Sequence, residues 1–253
     1  MKNKNQLVIL GIIILIHAIF AILTYMVIPM DEIAPVQYNP SMTSTIPAWQ
    51  LGLANAAIIL VVYGLLGLMG IWFAGKLGLP GTFREAAGWK AWILWPLLLG
   101  VGAGIILCLG DWIFIHAGWS QGFPHPSFPF SLIASATAGI GEEIMFRSFV
   151  MGLWAFLLNS LLKRSQVTRL ALWLANVIAA LAFSASHLPA MMLLFGLTTL
   201  AQIPVTFLVE LFLLNSIISL IGGERYMRDG LVAAIGVHFW VDIIWHVIWP
   251  LVV

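Results

Sequence analysis

The sequence predicts an all-α polytopic membrane protein, a bundle of about eight transmembrane helices, with a count of seven also compatible. Three observations carry this prediction. The chain of 253 residues is 62% hydrophobic and only 8% charged, whereas soluble domains are about 25% charged. Its mean hydropathy is +1.04. Its apolar runs are long and continuous, unlike the alternating segments of about ten residues that build a membrane β-barrel.

The apolar runs place the helices along the chain, because about 20 apolar residues are needed to cross a bilayer. The first run is too long for a signal peptide and lacks a small-residue cleavage site, so it is predicted to be a retained helix. The predicted helices cover residues 7–28, 51–73, 91–116, 128–162, 169–187 and 231–249. The apolar stretch 190–221, with Pro204 in its middle, is either one broken helix or a hairpin of two short helices, and its length favours two. Residues 222–230 are predicted to form a loop.

The charges predict the orientation of the bundle and exclude one class of partner. Lys and Arg cluster at the N-terminus, in 76–90 and in 163–169, so the positive-inside rule places these segments in the cytoplasm. The loops 31–48 and 117–127 carry neither residue and are predicted to lie outside. The net charge of +1, with no basic stripe outside short loops, argues against a nucleic-acid partner.

Two questions stay open at this point. An eight-helix count places Arg225 and Arg228 outside, whereas a seven-helix count places them inside. We divide the single membrane domain into N-terminal helices, residues 1–127, and a core that carries the polar motifs, residues 128–253. The lone Cys108 provides no disulfide framework and no cysteine metal motif.

The stretch 131–151 organises the chain, because it is apolar yet contains Glu142, Glu143 and Arg147. Ionisable groups within a membrane cost about 2.5–3.5 kcal/mol each on insertion scales, so they normally face a partner or a water-filled cavity. Glu143 and Arg147 are four residues apart and are predicted to form an ion pair. Glu142 points about 100° away and has no partner in its own helix. One glutamate is thus predicted to be structural and the other to be available for chemistry.

Two further polar clusters lie in other helices. The first is Phe183-Ser-Ala-Ser-His187, and the second is His238-Phe-Trp-Val-Asp242, whose histidine and aspartate share a helix face. Each cluster alone is weak evidence, since a buried histidine or Glu–Arg pair is usually structural. Together they supply a glutamate, two histidines and a second carboxylate, which is a set suited to activating water.

The segments EEIMFR, FSASH and HFWVD resemble, in order and separation, the motifs EExxxR, FxxxH and HxxxN/D. These are the signature motifs of the CAAX protease and bacteriocin-processing family, which includes the type 2 CAAX-prenyl endopeptidase and abortive-infectivity-type membrane proteins. The resemblance covers roughly residues 131–248, about half of the chain. It implies an intramembrane endopeptidase, mostly of eight helices, in the cell membrane of a prokaryote. Its implied partners are the lipid bilayer and a membrane-associated or lipidated peptide substrate.

The resemblance also implies a role for each motif residue. Glu142 would act as general base on the hydrolytic water, helped by His187. His238 and the residue at position 242 would stabilise the oxyanion of the tetrahedral intermediate. The supporting residues are Glu143 and Arg147, which would pair, and Phe183, which would pack the His187 helix.

One residue departs from the prenyl-cleaving member of the family, which has Asn where this chain has Asp242. An ionised aspartate cannot donate a hydrogen bond to an oxyanion. Asp242 is therefore protonated, or it orients His238, or it belongs to a metal site. Glu142, His187, His238 and Asp242 are suitable ligand types for zinc or another divalent ion. Metal-independent glutamate chemistry is favoured, because the sequence lacks an HExxH motif.

Two rival functions use the same residues. A non-catalytic scaffold or immunity protein of the same fold would tolerate Glu142→Gln, whereas a peptidase would lose its function. An ion or proton transporter would favour inverted repeats with broken helices in both halves. The sequence shows one such break, at Pro204, so the peptidase is preferred.

Overall fold

The computed structural model describes residues 2–28, 46–161 and 168–252, and within these ranges the chain is helical without a β-strand. Seven helices in the described ranges are long and apolar enough to cross a membrane. They are α1 (Lys2–Val27), α2 (Ala48–Leu77), α3 (Lys90–His116), α4 (Phe130–Leu161), α5 (Arg169–Leu194), α6 (Val205–Asp229) and α7 (Leu231–Leu251). The predicted fold class is confirmed, and the described chain has seven candidate spans.

The outer surface of the bundle is apolar, and small residues lie where the helices meet. Leu65 of α2, for example, is 59% exposed, as expected of a side chain that faces lipid. A Cβ added to Gly100 of α3 would lie 2.6 Å from the carbonyl oxygen of Val237 in α7. Small residues at such crossings allow helix backbones to approach closely. The absence of a side chain at Gly100 therefore lets α7, which carries the third motif, pack closely against α3.

Several chain segments meet at one end of the bundle. The side chain of Gln6, near the start of α1, donates a hydrogen bond to the carbonyl oxygen of Phe83 over 2.9 Å. The backbone N–H of Arg84 donates to the carbonyl oxygen of Asp229 over 3.0 Å. The start of α1, the α2–α3 connection and the α6–α7 turn therefore lie together.

The positive charges are concentrated at this same end, which we call the basic end. Every Lys and Arg of the described ranges except Arg147 stands on a helix terminus or connection there. They are Lys2, Lys4, Lys76, Arg84, Lys90, Arg169, Arg225 and Arg228. With seven spans, Arg225 and Arg228 share a side with Arg84, which answers the question left open by the sequence. The opposite end, which we call the far end, holds residues 117–129 and 195–204.

Two predictions for residues 190–230 are wrong. The apolar stretch does not form two spanning helices: α5 bends at His187 and continues as Leu188–Leu194, and one helix, α6, follows Pro204. Residues 222–229 are the last turns of α6 and not a loop, because Gly222 and Gly223 serve close helix packing. The helix ends at Gly230, which has a φ of 97°.

Some predicted segments fall outside the described residues. Most of the loop 31–48 belongs to this group, as do Lys163 and Arg164 in the connection between α4 and α5. In the described part, α4 and α7 both widen into a π-helix directly after a motif residue. Ile144–Met151 follows Glu143, and Ile243–Ile248 follows Asp242. Short π-helical turns are rare and frequently mark functional sites.

Candidate active site

A buried ion pair anchors the middle of α4. The guanidinium Nε of Arg147 lies 3.0 Å from Oε2 of Glu143, so the pair predicted from the spacing is present. Arg147 also donates a hydrogen bond to the hydroxyl of Ser219 in α6 over 2.6 Å. A Cβ on Gly222 would lie 3.4 Å from the Glu143 carboxylate, so the glycine allows α6 to pass close to the pair. Charges this deeply buried are retained only when they are paired and hydrogen-bonded.

Glu143 has a second partner that the sequence did not predict. Its Oε1 lies 3.0 Å from Nδ1 of His238, which α7 brings to α4. A carboxylate held by Arg147 can only accept hydrogen bonds, so Nδ1 of His238 carries the hydrogen. The other ring nitrogen, Nε2, is thereby left for the remaining carboxylates. The supporting glutamate thus fixes the orientation of a candidate catalytic histidine.

Two carboxylates approach Nε2 of His238. Oδ2 of Asp242 lies 3.6 Å from it, and Oε2 of Glu142 lies 3.8 Å from it. Both distances exceed a good hydrogen bond. Oε2 of Glu142 is buried without a hydrogen-bond partner, although the side chain as a whole is 34% exposed. Glu142 is therefore the available glutamate, as its position on the helix predicts.

The small face behind Glu142 receives another helix. A Cβ on Gly139 would lie 3.3 Å from the backbone nitrogen of Phe239, so α7 crosses α4 closely beside the carboxylate. On another side, Gly141 packs against His17 of α1, whose ring meets Tyr63 of α2 edge to face at 5.0 Å. The N-terminal helices thus help to enclose this part of α4.

His187 stands where α5 bends, and the second motif fixes its ring. Its Nδ1 lies 2.9 Å from the carbonyl oxygen of Phe183. Because a carbonyl only accepts, Nδ1 donates, and a neutral His187 ring has its free lone pair on Nε2. The ring of Phe183 contacts His187 at 4.8 Å and His238 at 5.6 Å between centroids, both edge to face. Phe183 therefore packs between the two histidines.

A cavity of about 200 Å³ joins these residues on the side of the far end. Its polar lining includes His187, His238 and Asp242, and its walls include Phe123 and Pro124 from the connection before α4. Three of the four predicted catalytic residues therefore share one cavity. Glu142 does not line the cavity, but its carboxylate lies 3.8 Å from Nε2 of His238, which does.

The region that carries this candidate site is similar to a known protein family. Residues 124–244 match the family model described as Type II CAAX prenyl endopeptidase Rce1-like. The match covers just under half of the chain, and over that region the chain is similar to the Rce1-like family. No curated protein and no solved structure matches the chain.

This similarity to the Rce1-like family indicates a CAAX-type protease in general, a class that acts on peptide substrates. The matched region contains all three motifs and leaves out α1, α2 and α3. The helices that surround Glu142 from the N-terminal side, with His17 and Tyr63, therefore lie outside the Rce1-like region. The seven long apolar helices of the described residues imply a lipid bilayer around the protein.

The proposed metal ligands of the Rce1-like region do not converge on one point. Among the described residues, no group of three or more His, Cys, Asp or Glu side chains is arranged to hold a metal ion. Nδ1 of His238 is engaged by Glu143 and Nδ1 of His187 by a carbonyl group, so Nε2 is the one ligand atom that each ring could offer. In this geometry the four side chains do not fit a divalent ion, and no step below depends on one.

The sequence alone did not reveal two features of the cavity beside His187 and His238. Glu210 of α6 lines the cavity with no exposed surface, and its only sequence signal was a charge inside an apolar run. His246 also lines the cavity, and its Nδ1 lies 3.3 Å from Nδ1 of His125 in the connection before α4. The spacing of 121 residues between these histidines could not reveal the contact.

Proposed function

We propose that this protein is an intramembrane endopeptidase that hydrolyses a peptide bond of a membrane-associated or lipidated peptide. The observation that carries the proposal is the placement of Glu142. Its carboxylate has an unpartnered oxygen 3.8 Å from Nε2 of His238, and Glu143 holds the other nitrogen of the same ring. A free carboxylate beside a fixed histidine is an arrangement suited to general-base hydrolysis.

The base acts on water. Glu142 takes one proton from the water molecule, and the water oxygen adds to the carbonyl carbon of the scissile peptide bond. His187 assists, because its neutral ring presents an unprotonated Nε2 that can accept a hydrogen bond from the same water. The proton later passes to the leaving amine when the C–N bond breaks. A positioned acid–base group of this kind contributes about 10²–10⁴-fold to a rate.

The oxyanion is stabilised by His238. Protonated on both nitrogens, the ring donates from Nδ1 to Glu143 and from Nε2 towards the cavity. Asp242 lies 3.6 Å from Nε2, which is too far for a good hydrogen bond. When ionised, it also has no hydrogen to donate to an oxyanion. Asp242 therefore acts through its charge, which complements the positive charge of His238 and favours the orientation that Glu143 sets. Of the alternatives that the sequence leaves open, this one agrees best with the distances.

The first experiment compares cleavage of a membrane-anchored fluorogenic peptide library by the wild type and by Glu142→Gln in detergent. We expect the rate to fall about 10²–10⁴-fold in the variant. Glu224→Gln is the matched control, since Glu224 lies on a partly exposed turn at the basic end, and we expect wild-type cleavage from it. A strong chelator should change neither rate.

Each contrary outcome points to a defined alternative. Cleavage that a chelator abolishes and a divalent ion restores would replace the glutamate mechanism with metal catalysis. Equal cleavage by the wild type and Glu142→Gln would remove Glu142 from the mechanism. If Glu142→Gln also left the cellular function intact and no peptide were cut, the non-catalytic scaffold would replace the enzyme.

The same proposal includes an orientation in the cell membrane of a prokaryote. The basic end faces the cytoplasm by the positive-inside rule, so the N-terminus is cytoplasmic and the cavity lies towards the outer face. In a Cys108→Ala background, an impermeant maleimide should label Gln121→Cys from outside intact cells. Glu85→Cys, which lies at the basic end, should react only after the cells are opened. The reverse labelling pattern would invert the orientation.

A further inference from the structure

A second pair of acidic side chains lies against the candidate catalytic cavity. Asp111 of α3 is 2% exposed and Glu210 of α6 is fully buried. The two carboxyl groups interact with each other. We call these two residues the acidic pair. They belong to none of the three motifs, and the proposed mechanism gives them no task.

The acidic pair lacks the partners that buried carboxylates normally have. Neither oxygen of Glu210 forms a well-aligned hydrogen bond, and the same is true of Oδ1 of Asp111. Ser120 is a further polar neighbour of Glu210. An unpaired polar group in a dry site costs about 1–3 kcal/mol, and more when it is charged. A buried pair whose polar neighbours are each other and Ser120 can therefore accept a further, positively charged partner.

No cation of the described chain is placed to be that partner. Among the described residues, Asp111 and Glu210 form no salt bridge. Arg147 is the one described Lys or Arg away from the basic end, and it is committed to Glu143. The acidic pair instead stands near the far end, on the helix turns next to residues 117–129 and 195–204.

The location of Glu210 connects the acidic pair with the substrate. Glu210 lines the same cavity as His187, His238 and Asp242. Apolar side chains such as Leu211 and Leu214 line the cavity beside it. Apolar walls that lead to a carboxylate suit the methylene stem and charged tip of a basic side chain. Two adjacent carboxylates need such a positive charge, or a shared proton, to remain buried together.

We propose that the acidic pair is the subsite for a positively charged side chain, Lys or Arg, of the peptide substrate. The proposal rests on the endopeptidase function above and adds a substrate class to it. A basic residue near the scissile bond would enter the cavity from the far end and place its charge between Asp111 and Glu210. A peptide with a neutral residue at that position would leave both carboxylates unpaired.

The test measures binding separately from cleavage. Fluorescent N-acylated peptides, each with a single Lys moved through the sequence, are compared with peptides that carry norleucine at the same position. Binding is measured on Glu142→Gln protein in nanodiscs, and cleavage is measured on the wild type. We expect one Lys position to bind at least about tenfold more tightly than norleucine, the size expected for a charge-assisted hydrogen bond. A norleucine peptide with a free N-terminal amine shows whether a terminal amine can replace Lys.

Substitutions in the acidic pair test whether it is the source of the preference for Lys. Adding Glu210→Gln or Asp111→Asn to the Glu142→Gln protein should remove the preference for Lys, whereas adding Glu224→Gln should preserve it. Thermal unfolding identifies any variant that fails to fold, and the second variant of the pair then decides. Equal affinity for Lys and norleucine, or a preference that survives both substitutions, would overturn the subsite. A terminal amine that replaces Lys fully would overturn the assignment to a side chain.

The two proposals fail in different ways. Cleavage that depends on Glu142 but shows no preference for Lys would overturn the subsite alone. A preference for Lys that needs Glu210, without cleavage of any peptide, would overturn the endopeptidase and reduce the acidic pair to a cation-binding site. If peptides with Lys and with norleucine bound equally well, a proton shared by the two carboxyl groups would explain their burial instead.

Discussion

Nδ1 of His238 lies 3.0 Å from Oε1 of Glu143, a contact that joins the first and third motifs across 95 residues of sequence. The same glutamate binds Arg147 through its other oxygen. Glu143 therefore balances a buried cation and fixes an imidazole at the same time. Its neighbour Glu142 points to another side of the helix. It pairs with no arginine, and its buried oxygen has no hydrogen-bond partner.

This difference between the two glutamates can be measured. We expect Glu143→Gln to lower the free energy of unfolding by about 3–5 kcal/mol, because it leaves the buried Arg147 without a counter-charge. Glu142→Gln should cost far less, since it removes no hydrogen bond. Chemical unfolding in mild detergent, followed by circular dichroism, compares the two variants. Equal destabilisation would contradict the separate roles.

Two substitutions test the role of Asp242, one that keeps its shape and one that removes most of the side chain. Asp242→Asn keeps the shape and adds an N–H donor near the oxyanion, so we expect cleavage at or above the wild-type rate. Asp242→Ala removes both the carboxylate and any possible donor beside His238, so we expect a loss of about 10²–10³-fold, the usual cost of losing an oxyanion-hole donor. The kcat of each variant with the best library peptide is the measurement. A rate in Asp242→Asn as low as in Asp242→Ala would show that the negative charge itself is required.

The packing of α3 against α7 offers a matched pair of glycines. A Cβ on Gly100 would lie 2.6 Å from the carbonyl oxygen of Val237, whereas one on Gly102 would meet no heavy atom within 4 Å. Gly100→Ala should destabilise the protein by about 1–3 kcal/mol, the usual cost of overpacking, and should shift His238. Gly102→Ala should be neutral or slightly stabilising. Unfolding midpoints and cleavage rates that are the same for both variants would contradict the close crossing.

The connection before α4 should respond to pH through His125. Burial lowers the pKa of His125 below its ordinary value of 6.5, so the folded state holds a neutral ring that the unfolded chain protonates more readily. The stability that depends on this neutral ring is therefore complete above about pH 6.5 and is lost as the pH falls towards the lower folded pKa. Thermal unfolding between pH 5 and pH 8 should show this loss.

A pair of aromatic substitutions isolates the histidine. His125→Phe keeps a ring against Trp245, where the native ring centroids are 4.7 Å apart, and it should reduce the loss of stability at low pH. His116→Phe, an exposed position at the same end, should behave like the wild type. If both variants kept the full pH dependence, His125 would not be its source.

The sequence predicted the features that depend on local spacing. The pair of Glu143 and Arg147 follows from four residues along one helix, and the isolation of Glu142 follows from a 100° rotation. The partner of Glu143 in α7 and the neighbours of Glu210 depend on how helices cross, which spacing within one helix does not specify. Gly222 and Gly223 were predicted to form a loop, because glycine pairs usually mark turns in soluble chains. Inside a membrane they permit close helix packing.

The i,i+4 ion pair of Glu143 and Arg147 also bears on the order in which the protein is made. Because both charges belong to α4, they can neutralise each other as soon as that helix leaves the ribosome and enters the bilayer. His238 is synthesised 95 residues after Glu143, within the last helix of the described chain. The proposed hydrolytic centre is therefore complete only after α7 has been synthesised and inserted. Until then the chain holds a neutralised ion pair in α4 but lacks the histidine of the proposed centre.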